Sequence, residues 1–207
     1  ARDKIAIDDS LRGAWRNAIL RTTDDDYWLA QLFGDEPELA HDWFQTRVAD
    51  GFQHSHRHGS ALKAAIAALD FEQRSGYLAQ LPTKFGFEEI VLQLVGDNLE
   101  LYRQLLEMQH LRRFHLTPLA GHPEGAWIAK ARLALEAGHS PDEIALAAVW
   151  ANPEGFSIGG SEAAVWSEWL ERFERLCEHH ESDVRAIGEA GKAQVSALRD
   201  RALEQER

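Results

Sequence analysis

One nine-residue stretch occurs twice in this chain, 62 residues apart, and both copies read as a turn between two helices. Gln31-Leu-Phe-Gly-Asp-Glu-Pro-Glu-Leu39 and Gln93-Leu-Val-Gly-Asp-Asn-Leu-Glu-Leu101 agree at six of nine positions. In each copy the pattern predicts that a helix ends at glycine (34, 96), which enters the left-handed conformation without a Cβ penalty. Aspartate (35, 97) then accepts the fresh amides of the next helix, and leucine (39, 101) faces inward. A repeated helix–turn–helix leaves little chain for a sheet. No segment alternates apolar and polar residues over a β-branched run, so the expected class is all-α.

Start and stop signals continue along the whole chain. Asp8-Asp9-Ser10 opens a leading helix over 8–21 with Leu11, Trp15, Ile19 and Leu20 on its inner side. Helical hairpins are expected at 24–50, 60–82, 86–113, 125–151 and 162–206. Asp70 starts a helix bearing Tyr77, Leu78 and Leu81 and closed by Pro82. Ser140-Pro141-Asp142-Glu143 is the sharpest start: Ser140 can accept the Glu143 amide, Glu143 can reach back, and Pro141 occupies the first helical position, where a missing N–H costs nothing. Ser161 opens a long helix through His180, and Ser182 or Asp183 opens the last. Short connections make such neighbours antiparallel.

The helices after the two matched turns keep step, the one at Ser60 with that at Gly125 and the one at Asp70 with that at Ser140. Four helices per repeat give about 31 residues per hairpin, in the range of helical solenoids. The expected architecture is one domain over 1–207: stacked antiparallel hairpins forming a short right-handed α-solenoid. His180-Glu-Ser-Asp183-Val184-Arg185-Ala186-Ile187-Gly-Glu-Ala190 resembles the second-helix start of a HEAT repeat, where an Asp turn precedes Val-Arg and then small and apolar residues. The resemblance covers about a dozen of 207 residues and implies a HEAT- or ARM-like stack. More loosely, the chain resembles the helical C-terminal regions of large bacterial multidomain proteins, which implies scaffolding or target sensing. The chain starts at Ala1 and its last helix stops in full pattern, so a fragment of a longer protein is expected.

Composition narrows the function classes. The net charge of −12 opposes nucleic acid binding, which usually needs a basic stripe. The strongest basic cluster, Arg103, Arg112 and Arg113, reads as solvated helix surface. No apolar run approaches the roughly 20 residues that span a bilayer. A single cysteine, Cys177, forms no internal disulfide and fits a cytoplasmic location; it reads as a small core residue on the stripe of Phe173.

Four features compete as sites. His54-Ser-His56-Arg-His58 alternates imidazoles in a loop and could present two of them to Zn²⁺, Ni²⁺ or Cu²⁺. His115 and His122 lie in a turn-rich linker that Leu116 and Leu119 should pack down; both read as satisfied structural histidines. Phe156, Ile158, Gly159, Gly160 and Ser161 form a loop before a helix N-terminus, where free amides favour an anion, and this is the best candidate interaction loop. Seven tryptophans fall mostly at core-like spacing, and any left exposed would mark an interface. Glu88-Glu89 and Asp24-Asp25-Asp26 sit at helix starts, where they favour the dipole.

The sequence therefore points to a protein- or peptide-binding scaffold module that is not an enzyme, needs no cofactor and crosses no membrane. Its oligomeric state is open. The alternatives are a nucleic-acid-binding helical repeat and a metal-dependent enzyme using His54, His56 and His58.

Overall fold

The computed structural model describes residues 9–21, 26–49, 59–83, 86–150 and 161–206. All secondary structure among them is helical, and none of these helices is long and apolar enough to cross a membrane. The chain divides into two compact units, residues 1–94 and 95–207.

The first unit holds α1 (Asp9–Arg21), α2 (Asp26–Asp35), α3 (Pro37–Ala49), α4 (Gly59–Ala67), α5 (Phe71–Gln80) and most of α6 (Glu88–Val95). α2 and α3 both pack on α4, and α1 packs on α3. The core is aromatic: Phe33 lies 5.2 Å from Trp43, and Phe44 meets Tyr77 edge-on at 4.7 Å. Arg47 is buried because its guanidinium donates to the Leu20 carbonyl at the end of α1 and lies over the Trp43 ring. Asp70 starts α5 as expected, and caps it in a reciprocal box with Gln73. Trp15 departs from expectation. Residues 13–18 of α1 are exposed, Ile19 is buried, and Trp15 is 51% exposed.

The matched turns are not alike. In the first copy Gly34 and Asp35 are still inside α2, and the Glu36 amide continues that helix by donating to Leu32. The break falls at Glu36, because the residue before a proline is pushed out of the helical region. In the second copy Gly96 has a positive φ of 50°, and the cap is Asn98, which accepts from Glu100 and Leu101. Asp97, expected as the cap, faces Lys130 at 3.4 Å.

The second unit contains α7 (Leu99–Glu107), two short 3-10 helices (Gln109–Phe114, Thr117–Leu119), α8 (Ala126–Glu136), α9 (Pro141–Trp150), α10 (Glu162–Cys177) and α11 (Ser182–Gln205). The linker after α7 is packed down, with Leu111, Phe114 and Leu119 fully buried and the Trp127 indole donating to the Leu119 carbonyl at 2.8 Å. Lys130 is buried because it also donates to the Gly96 carbonyl, a group exposed by the end of α6. Ser140 and Glu143 form the expected reciprocal cap of α9.

Among the described residues the most extensive helix contact is α10 with α11, and α11 also packs on α9 and α8. Two glycines set that crossing. A Cβ at Gly191 would lie 2.2 Å from the buried Phe173 ring, and one at Gly188 would lie 2.6 Å from the Cys177 amide nitrogen. The small residues after Val184 are therefore the seam of a tight hairpin. Val184 enters the core, while Arg185 folds back onto the turn.

Candidate functional site

The turn between α10 and α11 gathers three metal-ligand types in consecutive positions. One donor atom each from His179, His180 and Glu181 lies within 4.8 Å of the others. On a regular helix neighbouring side chains diverge by about 100°. Here α10 has already ended at Cys177 and α11 has not begun, so adjacent residues share one side. The two rings lie 4.3 Å apart, and His180 Nε2 approaches Glu181 Oε1 at 3.1 Å.

Arginines hold this turn from both ends. Arg185 donates to the carbonyls of His179 and His180 at 2.9 and 2.8 Å. Arg132 of α8 pairs with Glu181 Oε1, the oxygen that His180 also approaches. The Glu181 amide donates to His179 Nδ1 at 3.2 Å, which aims that lone pair into the turn. Desolvation, then electrostatic repulsion from the neighbouring His180, Arg132 and Arg185, holds His179 below the ordinary imidazole range. Its lone pair is therefore free of a proton at neutral pH, as a metal ligand requires.

A second histidine pair in the same unit is buried. His115 follows the first 3-10 helix, and His139 lies in the turn before α9. Nε2 of His115 meets the Met108 carbonyl at 3.2 Å, and His139 Nε2 meets His115 Nδ1 at 3.3 Å. His139 Nδ1 faces Glu143 at 3.8 Å. The same carboxylate accepts from the Ser140 amide and hydroxyl, and these bonds hold Glu143 below the usual carboxylate range. Burial lowers the pKa of both histidines.

Of the residues singled out from sequence, Phe156, Ile158, Gly159 and Gly160 lie outside the described residues, as do His54, His56 and His58. Ser161 is described and caps α10 by accepting the Ala164 amide. Its hydroxyl donates to Glu206 Oε1 at 2.6 Å, and the same oxygen accepts the Ala163 amide at 3.4 Å. The anion expected at this helix start is thus met by the chain's own carboxylate from the end of α11, and these bonds lower the Glu206 pKa. His122 is exposed and packs 5.5 Å from the Trp169 ring. Cys177 is half-buried, and burial followed by Glu189 pushes its thiol up, away from the reactive thiolate. Trp43, Trp127, Trp166 and Trp169 are core, leaving Trp15 as the most exposed described tryptophan.

The histidine turn was not singled out from sequence. Its signal was present: two adjacent imidazoles followed by an acid at a helix boundary. Finding it required knowing that the boundary falls between Cys177 and Ser182, so that the three side chains converge.

No protein-family model, curated protein or solved structure matches this chain; the HEAT-like segment is unaccompanied by any family match, and the class established for the chain is an all-helical fold.

Proposed function

We propose that this chain is a helical binding module, rather than an enzyme, that holds one divalent transition-metal ion at His179, His180 and Glu181. The observation that carries the reading is the convergence of two imidazoles and a carboxylate within 4.8 Å. Imidazole and carboxylate together suit Zn²⁺, Ni²⁺ or Cu²⁺. Three protein ligands leave a coordination position open for water or for a partner's side chain. The α10–α11 turn thus stands as a metal site beside the His54–His58 loop, which lies outside the described residues.

The ion must displace the Glu181 amide from His179 Nδ1 and compete with Arg132 for Glu181, so binding is modest. The test is calorimetric titration of the untagged chain with Zn²⁺ and Ni²⁺, beside His179→Ala/His180→Ala and His54→Ala/His56→Ala/His58→Ala. Stoichiometric binding lost in the first variant and kept in the second supports the turn. The reverse pattern overturns it.

A second reading, a protein-binding scaffold, is favoured by Trp15, half-exposed on α1, since exposed tryptophan anchors are enriched at interfaces. It draws support from helix contacts two elements apart, α1 on α3, α2 on α4 and α9 on α11, which a solenoid of stacked hairpins would give. Trp15→Ala should abolish retention of a host protein on the immobilised chain, and unchanged retention counts against this surface. The nucleic-acid reading gains nothing: Arg103 pairs with Glu100, and Arg113 lies over the Phe114 ring.

A further inference from the structure

We propose that His115 and His139 form an ordered two-proton latch: a first proton adds at Nδ1 of His139, and a second parts the rings and frees the turn before α9 from the 3-10 helix Gln109–Phe114. The order follows from hydrogen-bond bookkeeping alone. The Met108 carbonyl can only accept, so the proton of neutral His115 is on Nε2. Its Nδ1 is then a bare acceptor, and His139 Nε2 must donate to it. A neutral imidazole carries one N–H, so His139 Nδ1 is bare as well.

That atom faces the Glu143 carboxylate at 3.8 Å. A proton placed there breaks no existing bond and creates an imidazolium opposite a carboxylate. A second proton has only His115 Nδ1 to occupy. There it points at the N–H of His139 across 3.3 Å, two donors and two positive charges in contact. The pair must separate. The charged groups acting on it are Glu143 of α9, which favours the first proton, and Arg112 of the 3-10 helix, which opposes both. His115 is 3% exposed, so opening is required before water can solvate its charge. The residues on either side of the contact are Met108 and Phe114 on one strand of chain and Gly138 and Ser140 on the other. The α9 cap at Ser140 and Glu143 is thereby coupled to the state of the latch.

The test is long-range ¹H–¹⁵N correlation of the histidine rings of the full chain from pH 8 to pH 5, with amide hydrogen exchange over the same range. Both rings should carry the Nε2–H form at pH 8. His139 should titrate first, at Nδ1. Exchange at 109–114 and 137–140 should accelerate only with the second step. His139→Gln supplies an independent arm. Its amide can donate to His115 Nδ1, and it can also rotate to offer oxygen, so His115 should take its proton at a higher pH than in the parent chain. An Nδ1–H form at pH 8, His115 titrating first, exchange unmoved through both steps, or an unraised His115 in the variant each overturns the proposal.

Discussion

The second unit holds two histidine pairs that differ in almost everything except residue type. His179 and His180 sit side by side at the mouth of a turn, with His180 79% exposed at its side chain. His115 and His139 meet end to end inside, His139 only 10% exposed at its side chain. In the outer pair Arg185 fixes the backbone, and the ring nitrogens that are engaged, His179 Nδ1 and His180 Nε2, meet only Glu181 of the same turn. The inner pair has spent three of its four ring nitrogens on contacts with the chain or with each other. A histidine serves as a ligand where its lone pair converges with other donor atoms, and as a proton site where a bare ring nitrogen faces a carboxylate and no other donor. The difference lies in which backbone segment each ring is tethered to.

The largest effect should come from breaking the frame under the outer pair alone. Gly191→Ala places a methyl 2.2 Å from the Phe173 ring, which is fully buried and closed to easy movement. Overpacking of this kind should destabilise the chain by about 3 kcal/mol. Gly76→Ala in α5 is the control: its Cβ meets nothing within 4 Å, and removing a helical glycine should stabilise by about 0.5–1 kcal/mol. Urea unfolding of both variants decides the matter, and equal midpoints would falsify the account of the α10–α11 seam.

Next in size is the exchange of roles between the pairs. His180→Ala should weaken Zn²⁺ binding by at least about tenfold, roughly 1.4 kcal/mol, while His139→Gln should leave it unchanged. A metal affinity that follows His139 instead would show that the inner pair is the ligand set.

A smaller effect should appear in the pH dependence of stability. The folded pKa values of His115, His139 and His179 are all lowered from 6.5. The unfolded chain then binds more protons below that point, so the stability these groups confer is complete above pH 6.5 and is lost as pH falls through their folded values. Glu143 and Glu206, lowered from 4.5, confer stability that is lost further down, below pH 4.5. Urea midpoints should therefore fall in two stages, and His139→Gln should reduce the first stage only. A midpoint constant from pH 8 to pH 5.5 contradicts the buried pair's assignment.

What was legible in the sequence follows the range of each interaction. Ser140 with Glu143 is readable as a cap, and Asp70 as a helix start, because each acts on a partner three residues on. Asp97 was misread because its partner is Lys130, 33 residues away, and no local pattern encodes that. The two Gly-Asp turns align by their letters, yet Pro37 places the helix break at Glu36, two residues after Gly34. Gly188 looks like one of the small residues of a repeat signature and Gly191 lies just beyond it; their role emerges only once Cys177 and Phe173 are placed against them. His115 was read as a satisfied structural histidine, which its Met108 contact bears out, but the His139 partner comes from across a helix. Contact with Leu20, again distant in sequence, is what buries Arg47.

The smallest expected effect is the most discriminating for the outer pair. Arg132 pairs with Glu181 Oε1, the oxygen that also meets His180. If that turn is an ion-pair network and nothing more, Arg132→Ala simply loosens it, and an exposed pair of this kind contributes at most about 1 kcal/mol. If Glu181 is a metal ligand, the same substitution removes the competing cation and should tighten Zn²⁺ binding a few-fold, even as the unbound chain becomes slightly less stable. The two observables move in opposite directions only when Arg132 and the ion want the same carboxylate. Titration and urea unfolding of this one variant therefore separate a metal-binding turn from a salt bridge, and tighter binding in a weaker fold is the result that the convergence of His179, His180 and Glu181 requires.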